Sequence, residues 1–296
     1  MYNKNILNPT VASRLDKFDL RARLIVEGFL TGLHKSPYHG FSVEFLEHRE
    51  YQAGDSIKNV DWKVYGKTDK YFIKKYEEET NLKSYILIDC SRSMEFGTKS
   101  INKLEYAKTL AAALSYLLIS QQDAVGVLSY DNKINKFVPP RSAKSHLNTI
   151  FNQLQKLKPN EETNTAAVLH KLAERVKKRG LIVLISDLLD DEEEIMSGLQ
   201  HFRHNKHELL VFNIMDEQEI QFDYKAKTRF VDMETGEEII TNPWEIKKEY
   251  KKKIETMKKY FTTKCRNASI DYVPINTRTD YSEALLAYLI KREKLI

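Results

Sequence analysis

Asp89-Cys90-Ser91-Arg92-Ser93 carries a carboxylate and two hydroxyls at alternate positions, directly after the apolar run Tyr85-Ile-Leu-Ile. In a tight loop at the carboxyl end of a parallel strand, such a spacing aims three oxygens at one point, where doubly wound sheets usually bind ligands. Asp187 closes a second apolar run, Leu181-Ile-Val-Leu-Ile-Ser186, in the same way, and Thr163 precedes a segment of helical period. Two carboxylates with up to three hydroxyls form an all-oxygen donor set. That set suits Mg2+, Mn2+ or Ca2+ rather than zinc. Each residue alone also serves as an ordinary turn or cap residue, so the argument rests on their coincidence at strand ends.

Those residues need a scaffold, and the chain supplies one from about residue 83 onward. Short apolar runs alternate with segments of helical period, which is the pattern of an α/β, doubly wound, mostly parallel sheet with helices on both faces. Strands are expected at 85–89, 124–130, 181–187, 209–215 and 270–274, with 134–138 pairing back on 124–130 as a hairpin edge. Helices are expected at about 18–32, 103–121, 142–157, 164–179, 191–204 and 281–292. Residues 217–241 break the alternation around Glu234-Thr-Gly236 and read as a small antiparallel insertion. A long helix follows, with Asn242 as cap, Pro243 in the first turn and Glu245 at the third helical position. Residues 1–82 form an N-terminal extension packed on the sheet, and 83–296 form the α/β domain.

At this point the chain resembles a family. The Asp89-x-Ser91-x-Ser93 loop, the later Thr163 and Ser186-Asp187 are similar to the metal-ion-dependent adhesion site of von Willebrand factor A domains. Upstream, Arg49-x-Tyr51-x-x-Gly54-Asp55-x-x-Lys58-x-Val60-Asp61-Trp62 resembles the signature preceding such a domain in the domain-of-unknown-function-58 family. The resemblance implies that Asp89, Ser91, Ser93, Thr163 and Asp187 hold the cation, directly or through water. It also implies a MoxR-type AAA+ ATPase as partner. Glu161 and Glu162 stand where that family has glycines, which leaves Thr165 as the alternative hydroxyl ligand and puts negative charge on the partner surface. The upstream signature reads as structural support: Gly54-Asp55 suits a turn, and Trp62 a core anchor.

Neutral hydroxyls with only two carboxylates leave a divalent cation electrophilic, so its open position can accept an acidic side chain of a client protein. No general base or nucleophile is placed for turnover, and no enzyme activity is expected. A haloacid-dehalogenase-type phosphatase needs a second Asp where Ser91 stands. The tyrosine-phosphatase loop needs an Arg where Phe96 stands. A metal-dependent nuclease using Asp187, Asp190 and Asp191 with Glu192 to Glu194 is less simple than an acidic first helical turn.

Composition excludes other classes. With 42% hydrophobic and 10% aromatic residues, and only 10 Gly and 7 Pro in 296, the chain is neither disordered nor collagenous. Two cysteines, Cys90 and Cys265, make no disulfide framework, and the longest uncharged apolar stretch, Thr109 to Gln122, is too short to span a bilayer. The N-terminus lacks the apolar stretch of a secretory signal, so a cytoplasmic location is expected. The net charge of +5 resides mainly in 244–266, where nine Lys or Arg face three Glu. Ile246, Tyr250, Ile254, Met257 and Phe261 recur there at helical spacing, so Lys248, Lys252 and Lys259 lie on a solvated face. That face is a secondary partner surface, with nucleic acid or an anionic surface as the alternative ligand; no stacking aromatics demand nucleic acid. His201, His204 and His207 read as surface histidines.

Overall fold

Leu181–Ile185 is apolar at every position, and all six side chains of Leu181–Ser186 are buried. Only an interior strand covered on both faces satisfies such a run. The computed structural model describes residues 4–13, 15, 17–33, 48–50, 66, 72–74, 83–98, 101–159, 164–233 and 236–293. In chain order its elements are α1 (Pro9–Ala12), α2 (Phe18–Leu33), β1 (His48–Glu50), β2 (Phe72–Lys74), β3 (Lys83–Asp89), α3 (Lys103–Ser120), β4 (Ala124–Tyr130) and β5 (Ile134–Arg141). There follow α4 (His146–Gln155), α5 (Thr165–Arg175), β6 (Leu181–Ser186), α6 (Glu192–His204), β7 (Glu208–Met215) and α7 (Glu217–Gln221). The chain continues through β8 (Thr228–Val231), β9 (Glu238–Thr241), α8 (Pro243–Asn267), β10 (Asp271–Asn276) and α9 (Tyr281–Glu293).

Six strands form one sheet in the order β10-β7-β6-β3-β4-β5, parallel except for β5, which runs antiparallel to β4. The chain starts at central β3, moves outward through β4 and β5, then crosses to β6, β7 and β10. The carboxyl end of β3 is therefore a topological switch point, flanked by the ends of β4 and β6. Alternate residues feed two cores. Ile86 and Ile88 face α3, α4, α9 and α2, while Leu87 faces α5, α6 and α8. The expected fold class is the observed one.

Local chemistry explains the element ends. Asn102 accepts from Glu105 N at 2.8 Å and starts α3, and Asp191 accepts from Glu193 N and Glu194 N to start α6. The acidic run Glu192 to Glu194 is that helix's first turn. The expected insertion is present as the antiparallel pair β8 and β9, but it is preceded by α7, a single turn that has no period to read. Asn242 departs from expectation: its side chain caps no backbone N–H, and its amide instead donates to Glu245 Oε1 at 2.8 Å. The described part of the N-terminal extension also differs. Phe18, Ala22, Ile25 and Phe29 of α2 join the core on one side of the sheet and pack mainly against α3, α4 and α9.

His207 is a further correction, because it is fully buried rather than exposed. Its Nε2 donates to Val176 O at 2.8 Å, and Nδ1 has no partner among the described residues. Burial pulls its pKa below the usual 6.5 against the opposing pull of the Val176 and Gly180 carbonyls, and burial does the same to His146. The unfolded chain therefore binds the proton more readily than the folded one. The stability contributed by neutral His207 is complete above pH 6.5 and shrinks as the pH falls below it, by up to about 1.4 kcal/mol per pH unit per group. Urea midpoints at pH 7.5 and 5.5 should differ less in His207→Gln than in the parent; an unchanged difference would show that His207 carries none of the acid sensitivity.

Candidate metal centre

Asp89 ends β3 with its carboxylate completely buried. One oxygen, Oδ1, accepts from Ser91 N at 2.9 Å, and Oδ2 accepts from Ser186 Oγ at 2.7 Å, so the loop after β3 and the end of β6 both orient it. The next turn is a short 3-10 segment, Arg92–Glu95, anchored by buried Met94. It brings the Ser91 and Ser93 hydroxyls to 3.0 Å of each other. Asp89, Ser91 and Ser93 thus share one hydrogen-bonded loop after β3.

Asp187 follows β6 and is also buried. Its backbone carbonyl accepts from Asn213 Nδ2 at 2.7 Å, and the next residue, Leu188, is held at φ +55° with its N–H donating to Ser186 Oγ at 3.0 Å. A left-handed conformation for a buried leucine is strained, and it persists because these bonds fix the turn. Asp187 lies close enough to Asp89 to act on it electrostatically. Burial, followed by the Asp187 charge, pushes the Asp89 pKa up to about 7 against the hydrogen bonds from Ser186 and Ser91.

Thr163, Glu161 and Glu162 lie outside the described residues, as does the upstream signature from Tyr51 to Trp62. Thr165 is the hydroxyl that the described structure positions. It is fully buried at the start of α5, its N–H donates to Asp190 Oδ2 at 3.1 Å, and its Oγ1 has no hydrogen-bond partner among the described residues. The buried Tyr130 hydroxyl faces Thr165 and Ser186 without reaching bonding geometry to either. A buried polar atom left unpaired costs about 1–3 kcal/mol, so these are the atoms a ligand would satisfy. Mutually repelling carboxylates, clustered hydroxyls and an orphaned Thr165 Oγ1 together match the needs of a hard divalent cation.

A residue not foreseen as part of the site completes its electrostatics. Lys103, the first residue of α3, is fully buried, with Nζ 2.7 Å from Asp187 Oδ2 and 2.6 Å from Glu219 Oε1. Burial alone would strip its proton, but the two carboxylates outweigh that and hold it charged. Its ammonium also lies 5.8 Å from the Phe96 ring centroid. Glu219 in turn closes a capping box on α7, with Oε2 accepting from Asp216 N at 2.7 Å. The readable signal was a lysine at the N-terminus of an apolar helix, the wrong end for a cation. Among the described residues no cluster of three His, Cys, Asp or Glu is grouped for a metal.

A family model described as protein of unknown function DUF58 matches residues 47–260. The chain belongs to that family. A relative of this DUF58 protein, the uncharacterized protein Rv1480 of Mycobacterium tuberculosis, is 24% identical over 241 residues, covering 80% of this chain and 75% of that one. Among solved structures, conserved hypothetical protein BatB of Bacteroides thetaiotaomicron matches with a TM-score of 0.51 at 16% identity, over 73% of this chain and 100% of that one. An aerotolerance-related membrane protein of Bacteroides fragilis matches with a TM-score of 0.50 at 16% identity, over 71% of this chain and 99% of that one. These likenesses agree with the fold, a mostly parallel α/β sheet with helices on both faces. Among the described residues of the DUF58 chain no helix is long and apolar enough to cross a membrane.

The remaining chemistry near the site is unsuited to nucleophilic attack. Cys90 is buried, and burial followed by the Asp89 charge pushes its thiol up to about 12, so it stays protonated at neutral pH. The partner-surface lysines Lys248, Lys252 and Lys259 are exposed on α8, whose opposite face buries Ile254, Met257 and Phe261. They are not brought to the candidate metal centre by any described contact.

Proposed function

We propose that this DUF58 protein is a divalent-cation-dependent protein-interaction module. The observation that carries the reading is the oxygen cluster itself: buried Asp89 held by Ser91 and Ser186, the paired Ser91 and Ser93 hydroxyls, and Thr165 Oγ1 without a partner among the described residues. Asp89, Ser91, Ser93, Asp187 and either Thr163 or Thr165 would hold Mg2+, with Mn2+ or Ca2+ as substitutes. A bound cation supplies an open coordination position for one acidic side chain of a partner. The chain's own residues orient the site through the β3 and β6 ends, exclude water from Asp89 and keep the hydroxyls neutral. Binding rather than turnover is the proposed activity. By family resemblance the partner is a MoxR-type AAA+ ATPase or an acidic client delivered with it. The unbridged, buried cysteines Cys90 and Cys265 suit a reducing cytoplasm.

Titration calorimetry of Mg2+ and Mn2+ into chelator-stripped protein tests this. Parent protein should bind one ion, and Asp89→Ala and Asp187→Ala, each checked for folding by circular dichroism, should lose at least tenfold in affinity. Equal binding by parent and both variants would move the ion elsewhere and remove the reading.

A further inference from the structure

Lys103 presents a physical puzzle that the proposed function leaves open. A lysine at the first position of the 18-residue helix α3 opposes the helix dipole, and full burial of an ammonium adds a desolvation penalty of several kcal/mol. Its two carboxylate partners come from distant parts of the chain. Asp187 lies 84 positions away and Glu219 lies 116 away. The fold thus brings the start of α3, the end of β6 and the short helix α7 together around one ammonium. The backbone of Lys103 joins in, donating to Phe96 O at 3.0 Å and closing the loop that carries Ser91 and Ser93.

The charge count gives this arrangement a meaning. Asp187 and Glu219 hold the ammonium and Asp89 feels the Asp187 charge, so the three carboxylates and one ammonium carry a net −2 when all are ionised, which one divalent cation would neutralise. Lys103 takes Asp187 through Oδ2, while among the described residues Oδ1 has only a long contact of 3.4 Å from Leu189 N. Asp187 is consequently divided between a resident cation and whatever approaches its free oxygen. Two cations sharing one carboxylate repel each other at close range, more strongly in a buried site than in water.

From this we infer that Lys103 is a tethered counter-ion that sets the divalent-cation affinity of the site, holding Asp187 until a metal draws on it, with Glu219 as the carboxylate that receives the ammonium. The inference rests on the reading of the oxygen cluster as a metal centre. Glu219 ties the exchange to α7 through its bond to Asp216 N, so the state of Lys103 is mechanically linked to the segment that leads into the β8–β9 ribbon. Weak binding in the resting protein and strong binding once the ammonium is released would follow from one side chain.

Lys103→Met and Glu219→Gln in the full chain test it, because they shift affinity in opposite directions. Removing the ammonium deletes the repulsion, so Lys103→Met should bind Mg2+ and Mn2+ at least tenfold more tightly than the parent. Glu219→Gln takes away a negative charge and commits Lys103 to Asp187, so its affinity should fall several-fold. Calorimetry gives the constants, and the metal-induced rise in melting temperature, larger for Lys103→Met and smaller for Glu219→Gln, is an independent readout. Should Lys103→Met fail to fold, the direction of Glu219→Gln decides. Binding by Lys103→Met alone would uphold the counter-ion and end the metal reading of the natural chain. Equal affinities in all three, or shifts of the same sign, would overturn the counter-ion and leave the metal reading intact. No binding in any of them would overturn both.

Discussion

Lys103→Met should be among the most destabilising single changes in this protein, costing about 3–5 kcal/mol, because it strands two buried carboxylates beside a third. The methionine keeps the volume, so the loss is electrostatic rather than a cavity. Asp187→Asn should cost less, about 2 kcal/mol, since it removes one partner of Lys103 yet also relieves the charge that pushes on Asp89. Glu219→Gln should cost least, because the Glu219 side chain is 13% exposed and water replaces part of the contact. The double variant Lys103→Met/Asp187→Asn should lose about 0.5–3 kcal/mol less than the two single losses added together, since each change removes the other's stranded charge. Urea unfolding in chelator measures all four without metal linkage. Additive losses, or a Glu219→Gln cost equal to that of Lys103→Met, would mean that the three groups do not act as one buried network.

The contrast between what the sequence displayed and what it concealed follows from distance along the chain. Leu181–Ile185 is an uninterrupted apolar run and Leu209–Met215 is apolar except for Asn213, and such runs have one physical outlet in a covered sheet. The Asp89, Ser91 and Ser93 oxygens share one loop, so their convergence is a local property that spacing can report. Asp187 was readable as a second strand end. Lys103 was not, because nothing within four residues of it reveals carboxylates 84 and 116 positions away. Asp216 and Glu219 did leave a local trace, a capping box at the N-terminus of a five-residue helix, but a single turn carries no periodicity to draw attention to it. His207 misled for a related reason. It follows Lys206 at φ +63°, and that turn folds it beneath Phe202, whose ring centroid is 5.7 Å from its own.

The basic helix α8 admits a sharper test of which face matters, and Phe261→Ala should show it. Phe261 is fully buried, stacked at 6.0 Å on Tyr272 of β10, and one turn before Cys265, whose thiol donates to Met196 Sδ at 3.7 Å. It therefore joins α8 to α6 and to the edge of the sheet. Truncating such a ring leaves a cavity that rigid neighbours cannot fill, at a cost of about 3–5 kcal/mol. Lys248, Lys252 and Lys259 point into solvent from the opposite face, where substitutions usually stay within about 0.5 kcal/mol. The triple change to Gln should accordingly leave the urea midpoint nearly in place while Phe261→Ala lowers it severely. If the lysines instead proved as costly as the phenylalanine, α8 would be held by charge, and its basic face would be part of the fold rather than a surface available to a partner.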